Sequence, residues 1–196
     1  MTHIAVSLII DFYLGTHAHI LKFADRLSEE QLNQKINPGS PPIAFYLWHL
    51  ARWAENLQAT FPGMTENLSR RLTAKQQIWE AQGLAQQWGF PVGLLGFDET
   101  GMEMDETTAA NLSFPSKAVL LAYVRQAFAT VDATVRSITE DEFITLEQSQ
   151  PENEDIWKPG NTVGSAILEH LVHDSRHLGM MESLLGAQTG HGTATR

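Results

Sequence analysis

Hydrophobic residues recur along this chain at intervals of three, four and seven, the period that lines up one face of an α-helix. Four stretches keep the period long enough to predict a long amphipathic helix each. In the first, Ile4 to about Leu27, the residues Ile9, Phe12, Thr16, Ile20, Phe23 and Leu27 share a face, with Asp11 opposite. His19 falls at the margin of that stripe and His17 on its far side, so both read as surface or boundary residues. The second helix follows Ser40-Pro41-Pro42, a capping hydroxyl with prolines suited to a first turn. It runs from Ile43 to about Gln58 and buries Ile43, Tyr46, Leu47, Leu50, Trp53, Ala54 and Leu57, with His49 at the edge; Phe61-Pro62-Gly63 is expected to end it. The third opens at Ser113 and Pro115 and keeps Val119, Leu120, Tyr123, Val124, Ala127, Phe128, Val131, Val135 and Ile138 in register. The fourth, Val163 to Leu185, is capped by Asn161 or Thr162 and stopped by Gly186. Its inward stripe is Val163, Ala166, Ile167, His170, His173, His177, Met180, Met181 and Leu184.

The segments between are punctuated by turn chemistry. Ser28-Glu29-Glu30-Gln31 and Thr139-Glu140-Asp141-Glu142 are capping-box starts of short helical turns, and Asn37-Pro38-Gly39 breaks the chain. Thr73 to Trp88 has helical composition, weakened by Gly83. The loop after it carries Asp98, Glu99, Glu103, Asp105 and Glu106 without the spacing of an EF-hand, so it reads as a solvated acidic loop (98–106). A connection of that length in a compact domain is often a functional lid. Gln148 to Gly160, holding Trp157, is a polar linker. With no strand-like alternation or repeat, the prediction is all-α: a four-helix bundle with a long, partly irregular connection, read as a crossover, between the second and third long helices. Residues 1–187 form a single domain in this reading, and 188–196, with His191, a flexible tail.

Composition narrows the partners. The formal charge of −10, with no Lys/Arg run, argues against nucleic acid, whose phosphates require a clustered basic footprint. The chain has no cysteine, which excludes disulfides and thiolate metal sites. Ile4 to Ile10 is apolar but lacks a basic flank and is interrupted by Asp11, and no run approaches the roughly 18 apolar residues of a membrane span. The expectation is a cytoplasmic protein with no membrane partner.

Histidine is where the candidate chemistry lies. Side chains four apart on a helix cover the same patch, so His173 and His177 can direct two imidazole nitrogens at one ion, each at roughly 2.0–2.1 Å. HxxxH is a weak signal alone; its place on a core stripe, with His49 on another helix, strengthens it. The alternative is a set of core histidines hydrogen-bonded to one another and to Tyr or Glu side chains. His170 shares the face and is either a ligand or a partner orienting one, and Asp174 reads either as an acceptor for an imidazole N–H or as a solvated carboxylate.

Two segments resemble a known family. PPIAFYLWHLARWAEN looks like the second-helix segment of the DinB-like superfamily of bacterial four-helix proteins, and ILEHLVHDSRHLGMMESLLGAQTG looks like its last-helix segment, with an HxxxH pair followed by glycine. The loop WGFPVGLLGFDETGMEM and the helix FPSKAVLLAYV are similar in order and spacing, so nearly the full length is covered. The resemblance implies one divalent ion (nickel, zinc or iron) held by His49, His173 and His177, with positions open for substrate and Gly179 as the following glycine. It leaves His170, with Asp174, behind the ligands. It further implies a homodimer and thiol-dependent transfer or isomerisation with bacillithiol or mycothiol, although other members have no known reaction. Where the family often has Gln after that glycine, this chain has Met180, a departure that bears on substrate more than on metal.

Together these features point to a metal-dependent enzyme, a thiol S-transferase or related isomerase acting on a small-molecule substrate, with Tyr46 and Trp53 walling the pocket. The absence of cysteine fits a thiol supplied from outside. Metal-dependent hydrolysis uses the same ligands and is the alternative. A non-catalytic, stress-related binding or scaffold bundle is the third reading, favoured by Met180 and by the lack of any clear general base; no catalytic residue can be singled out.

Overall fold

The computed structural model describes residues 2–73, 76–146 and 162–192. Its helices, in order, are α1 (Thr2–Arg26), α2 (Glu29–Asn33), α3 (Ile43–Met64), α4 (Glu66–Arg71), α5 (Ile78–Ala81), α6 (Leu84–Gln87), α7 (Glu106–Asn111), α8 (Lys117–Ser137), α9 (Glu140–Ile144) and α10 (Val163–Thr189). No strand forms among the described residues, and the fold is all-α as expected. The long helices pack as a ring, α1 on α10, α10 on α3, α3 on α8 and α8 on α1. The long connection therefore joins neighbours, α3 and α8, while the two shorter ones lead to helices on the ring's diagonals.

Helix α3 is the centre of the core. It buries Ile43, Leu47, Trp48, Leu50, Leu57 and Phe61, and also the polar side chains His49, Arg52, Glu55 and Gln58. It does not stop at Phe61-Pro62-Gly63 but continues to Met64. Proline there removes one backbone donor near the helix end, and the burial of Phe61 and Met64 holds the last turn down. Nor does Ser40 cap it: the cap residue is Pro42, and Ser40 closes a turn with Asn37.

The stripe on α1 is rotated from the one expected. Val6, Tyr13, His17, Ile20, Ala24 and Leu27 face inward, whereas Phe12 is 66% exposed. The physical reason is His17, which ranks as polar by itself but is buried here between two carboxylates. His19 is exposed, as read. On α8 the expected stripe is buried except for Val119, which faces out.

Gly83 takes a left-handed conformation (φ 61°) and divides the expected helix into α5 and α6; residues 74 and 75 lie outside the described set. Both capping boxes form, at Ser28/Gln31 and Thr139/Glu142. Thr162 caps α10 reciprocally with Ser165; Asn161 and the 148–160 linker with Trp157 lie outside the described residues. Helix α10 passes through Gly186 and ends at Gly190 (φ 73°). Gln188, placed in the tail by sequence, donates instead to the carbonyls of Gln31 and Gln34 at 3.0 and 3.1 Å. No uninterrupted apolar run reaches the length of a membrane span, yet Ile4–Arg26 and Lys117–Ser137 are long and apolar enough, by length and composition alone, to cross a membrane. Both present polar or charged side chains to the bundle interior or surface, among them His17, Lys22, Arg125 and Asp132.

Candidate metal centre

The α10 face turned to the core is narrower than the apolar pattern suggests. Val163, Gly164, Ile167, Asp174 and Met181 are buried; His170, His173 and His177 are half-buried beside them, and Met180 is exposed. Gly164 lets α9 close on α10, because a Cβ there would stand 2.2 Å from Phe143 Cε1. Asp174, weighed as a solvated carboxylate, is only 3% exposed.

His49 from α3 meets the α10 pair. One ring nitrogen from each of His49, His173 and His177 lies within 4.8 Å of the others. His49 Nε2 and His173 Nε2 are 3.1 Å apart. Two ligands at roughly 2.0–2.1 Å from a shared ion stand about 3 Å from each other, so this separation suits a divalent cation.

The tautomers follow from the partners. His49 Nδ1 is 2.6 Å from the Thr100 carbonyl, and His173 Nδ1 is 3.0 Å from Asp174 Oδ1. A carbonyl and a carboxylate only accept, so both Nδ1 atoms carry the proton and donate. Each neutral ring then has its lone pair on Nε2, and the two lone pairs face each other. Their close approach is satisfied by a metal cation between them, or by a proton on one Nε2 that donates to the other. Two more buried polar atoms beside the cluster, His177 Nδ1 and Trp53 Nε1, have no hydrogen-bond partner among the described residues. The donor set fits a divalent ion with nitrogen preference, such as the nickel, zinc or iron that the resemblance implies.

Burial keeps two of these imidazoles neutral, the form that binds metal. The His49 pKa is lowered to about 4 by burial and then by His173, against the pull of its bond to Thr100. His177 falls to about 3 by burial and by its histidine neighbours.

Behind His173 runs a buried polar chain that crosses the bundle. Asp174 Oδ2 is 3.0 Å from His17 Nε2, and His17 Nδ1 is 2.6 Å from Asp132 Oδ1 on α8. The His17 ring stacks on Phe128 at 3.8 Å. Burial alone would depress the His17 pKa, but hydrogen bonds to Asp132 and Asp174 and their charges raise it to about 9. His17 is therefore an imidazolium at neutral pH. Burial would raise the Asp174 pKa, yet its bonds to His17 and His173 hold it well below the usual carboxylate range. His17, read as a surface residue, is part of the support of the site.

The remaining candidates line the cluster. The Tyr46 ring lies 5.5 Å from His177, and Trp53 lies 6.3 Å from His49 and 5.7 Å from His173. His170 packs edge-on against Trp53 at 5.8 Å and against His173 at 6.4 Å, outside the three-nitrogen group, and burial lowers its pKa to about 4. Of the acidic loop, Asp98, Glu103, Asp105 and Glu106 are exposed as expected, but Glu99 Oε2 accepts from the Trp79 indole at 2.6 Å and Thr100 is fully buried. A backbone carbonyl has no sequence signature, so the contact from Thr100 to His49 is not legible in any motif.

Four helices in a ring, with imidazoles from two of them converging between the helices, define a helical bundle with a three-histidine group that could hold a metal ion. The profile of the DinB superfamily matches residues 14–181. The chain belongs to the DinB superfamily. No curated protein matches it.

Proposed function

We propose that this chain is a metal-dependent enzyme in which His49, His173 and His177 hold one divalent ion, and that it transfers or isomerises substrates with a small-molecule thiol of the bacillithiol or mycothiol type. The observation that carries the reading is the pair of Nε2 atoms 3.1 Å apart, both with Nδ1 already committed to acceptors. When bound, the ion supplies positive charge that favours the thiolate form of a coordinated thiol. Asp174 orients His173 and strengthens it as a donor, His170 packs against Trp53 beside it, and Tyr46 and Trp53 form the wall against which the substrate lies. The chain has no thiol of its own, in keeping with one brought by the substrate. A homodimer in the cytoplasm completes the proposal.

Elemental analysis of protein purified without a histidine tag is the direct test. Wild type is expected to carry close to one equivalent of nickel, zinc or iron, and His49→Ala/His177→Ala to carry none. Equal trace metal in both would sink the proposal. Turnover of an electrophilic acceptor that requires added thiol supports transfer. Thiol-independent cleavage would instead assign a hydrolase, and a ligand-induced melting shift that survives chelation would favour a binding scaffold.

A further inference from the structure

Arg52 is one of the most buried side chains in the protein, 1% exposed, and two of its three directed hydrogen bonds go to loop backbone. Nη2 donates to the Asp98 carbonyl at 2.8 Å and Nε to the Glu99 carbonyl at 3.0 Å. Only Nη1 meets a carboxylate, Glu55 Oε2 at 2.8 Å on its own helix. One turn earlier on α3, His49 Nδ1 donates to the next carbonyl, that of Thr100. Three consecutive carbonyls thus accept from two side chains three residues apart on one helix face.

Consecutive carbonyls face one way only if the backbone coils, and here it coils left-handed. Asp98 has φ 46° and Glu99 φ 52°, neither of them glycine, and Gly101 has φ 88°. L-residues resist that region, and such strain persists only where surrounding contacts enforce it. Beside the loop's own backbone bonds, from Thr100 N–H to the Phe97 carbonyl at 2.8 Å and from Gly101 N–H to the Leu95 carbonyl at 2.9 Å, the enforcing contacts from outside include Arg52, the Glu99–Trp79 indole bond, and Asn56 Nδ2 donating to Asp98 Oδ2 at 3.0 Å. Gly101 then packs so closely that a Cβ would lie 2.9 Å from Trp48 and 3.3 Å from His49 Nδ1. The guanidinium also lies over the Trp79 ring, 5.5 Å from its centroid.

We propose that Arg52 is a positioning residue for the metal centre. By clasping the Asp98 and Glu99 carbonyls it holds the strained loop against α3, keeps the Thr100 carbonyl on His49 Nδ1, and so fixes the tautomer that turns the His49 Nε2 lone pair toward His173. The consequence for an ion rests on the function proposed above; the consequence for the His49 tautomer does not. The planar fork of arginine is what the geometry uses, since its Nε and Nη2 hold two donors at a fixed spacing, whereas a lysine carries all of its donors on one freely rotating nitrogen.

Arg52→Lys keeps the charge opposite Glu55 and removes the fork. Zn²⁺ alone, titrated against a chelating indicator, is expected to bind the variant about 10- to 100-fold more weakly than wild type, the range set by loss of support behind a ligand. In a His49→Ala background the same substitution should change Zn²⁺ affinity by less than about twofold, because its effect passes through His49. Nitrogen-15 NMR of the metal-free protein should show His49 protonated at Nδ1 in wild type and mixed in the variant. If Arg52→Lys does not fold, Arg52→Met/Glu55→Gln, which removes both charges together, carries the same measurements. An unchanged His49 tautomer, or an equal affinity loss with and without His49, would overturn the proposal. Should wild type bind no Zn²⁺, the metal reading fails and the NMR comparison still decides the role of Arg52.

Discussion

Replacing His17 with glutamine removes a buried imidazolium from between two carboxylates, and the structure sets the size and sign of the effect. The His17 pKa rises from 6.5 to about 9 on folding, against burial and because of Asp132 and Asp174. A raised folded pKa contributes stability that is complete below pH 6.5 and lost as pH climbs through about 9. At 1.36 kcal/mol per unit, the contribution is about 3 kcal/mol. His17 is 1% exposed, so solvent screening takes little from it. The depressed Asp174 pKa reflects the same hydrogen bond seen from the other side, so the two shifts are not summed. Urea unfolding of the metal-free protein from about pH 6 to about pH 10 measures it. Wild type should lose stability at up to about 1.4 kcal/mol per pH unit between the two pKa values, for one proton released on unfolding. His17→Gln should start lower at pH 6 and stay nearly flat. Parallel profiles for the two proteins would refute the assignment of a charged, doubly bonded His17.

The acid limb should run the other way. His49, His170 and His177 have folded pKa values lowered to about 4, 4 and 3, so the unfolded chain takes up protons first. The melting temperature of the metal-free protein should fall as pH drops below about 6.5, less so in His177→Ala. Gly164→Ala should cost about 1–3 kcal/mol in denaturant unfolding, because the added methyl meets the Phe143 ring at 2.2 Å. Gly15→Ala, with nothing within 4 Å of the new methyl and a helical backbone, should gain about 0.5–1 kcal/mol in the same assay. If the proposed ion binds, raising free Zn²⁺ to a hundred times its dissociation constant should stabilise the apoprotein by about 2.7 kcal/mol, and His49→Ala/His177→Ala should show no such shift.

What the sequence made legible follows from what a hydrophobic period can encode. The four long helices were readable because Ile43, Leu47, Leu50 and Leu57, or Leu120, Val124, Phe128 and Val131, bury one face with little help from elsewhere. Element ends were less readable, since Pro62 and Gly186 stop a helix only when nothing packs the next turn down; here Phe61 and Met64, and the Gln188 bonds to α2 and its cap, do so. The rotated stripe on α1 has a related origin. A histidine counts as polar until its partners are known, and Asp132 and Asp174 lie 115 and 157 residues away in sequence. The candidate ligands were readable from HxxxH, from the second histidine-bearing helix and from the family resemblance. Their support was not, because it consists of a backbone carbonyl and an ion chain assembled only by the fold.

That support is asymmetric, and the asymmetry has a chemical meaning. His49 is held by the Thr100 carbonyl of the loop between α6 and α7, and His173 by Asp174 on its own helix, backed by His17 of α1 and Asp132 of α8. Both rings have one nitrogen committed, so their tautomers are set before any ligand arrives. Among the described residues, the buried Nδ1 of His177 has no hydrogen-bond partner, and its ring packs against those of Tyr46, His49 and His173. If the proposed ion binds, two fixed donors and one less constrained donor would let the third ring adjust to ions of different radius while the first two keep their approach directions. The strained loop and the buried ion chain then act alike from two sides: the loop accepts backbone strain to hold the His49 ring, and the ion chain holds the His173 ring through hydrogen bonds that themselves stabilise the fold.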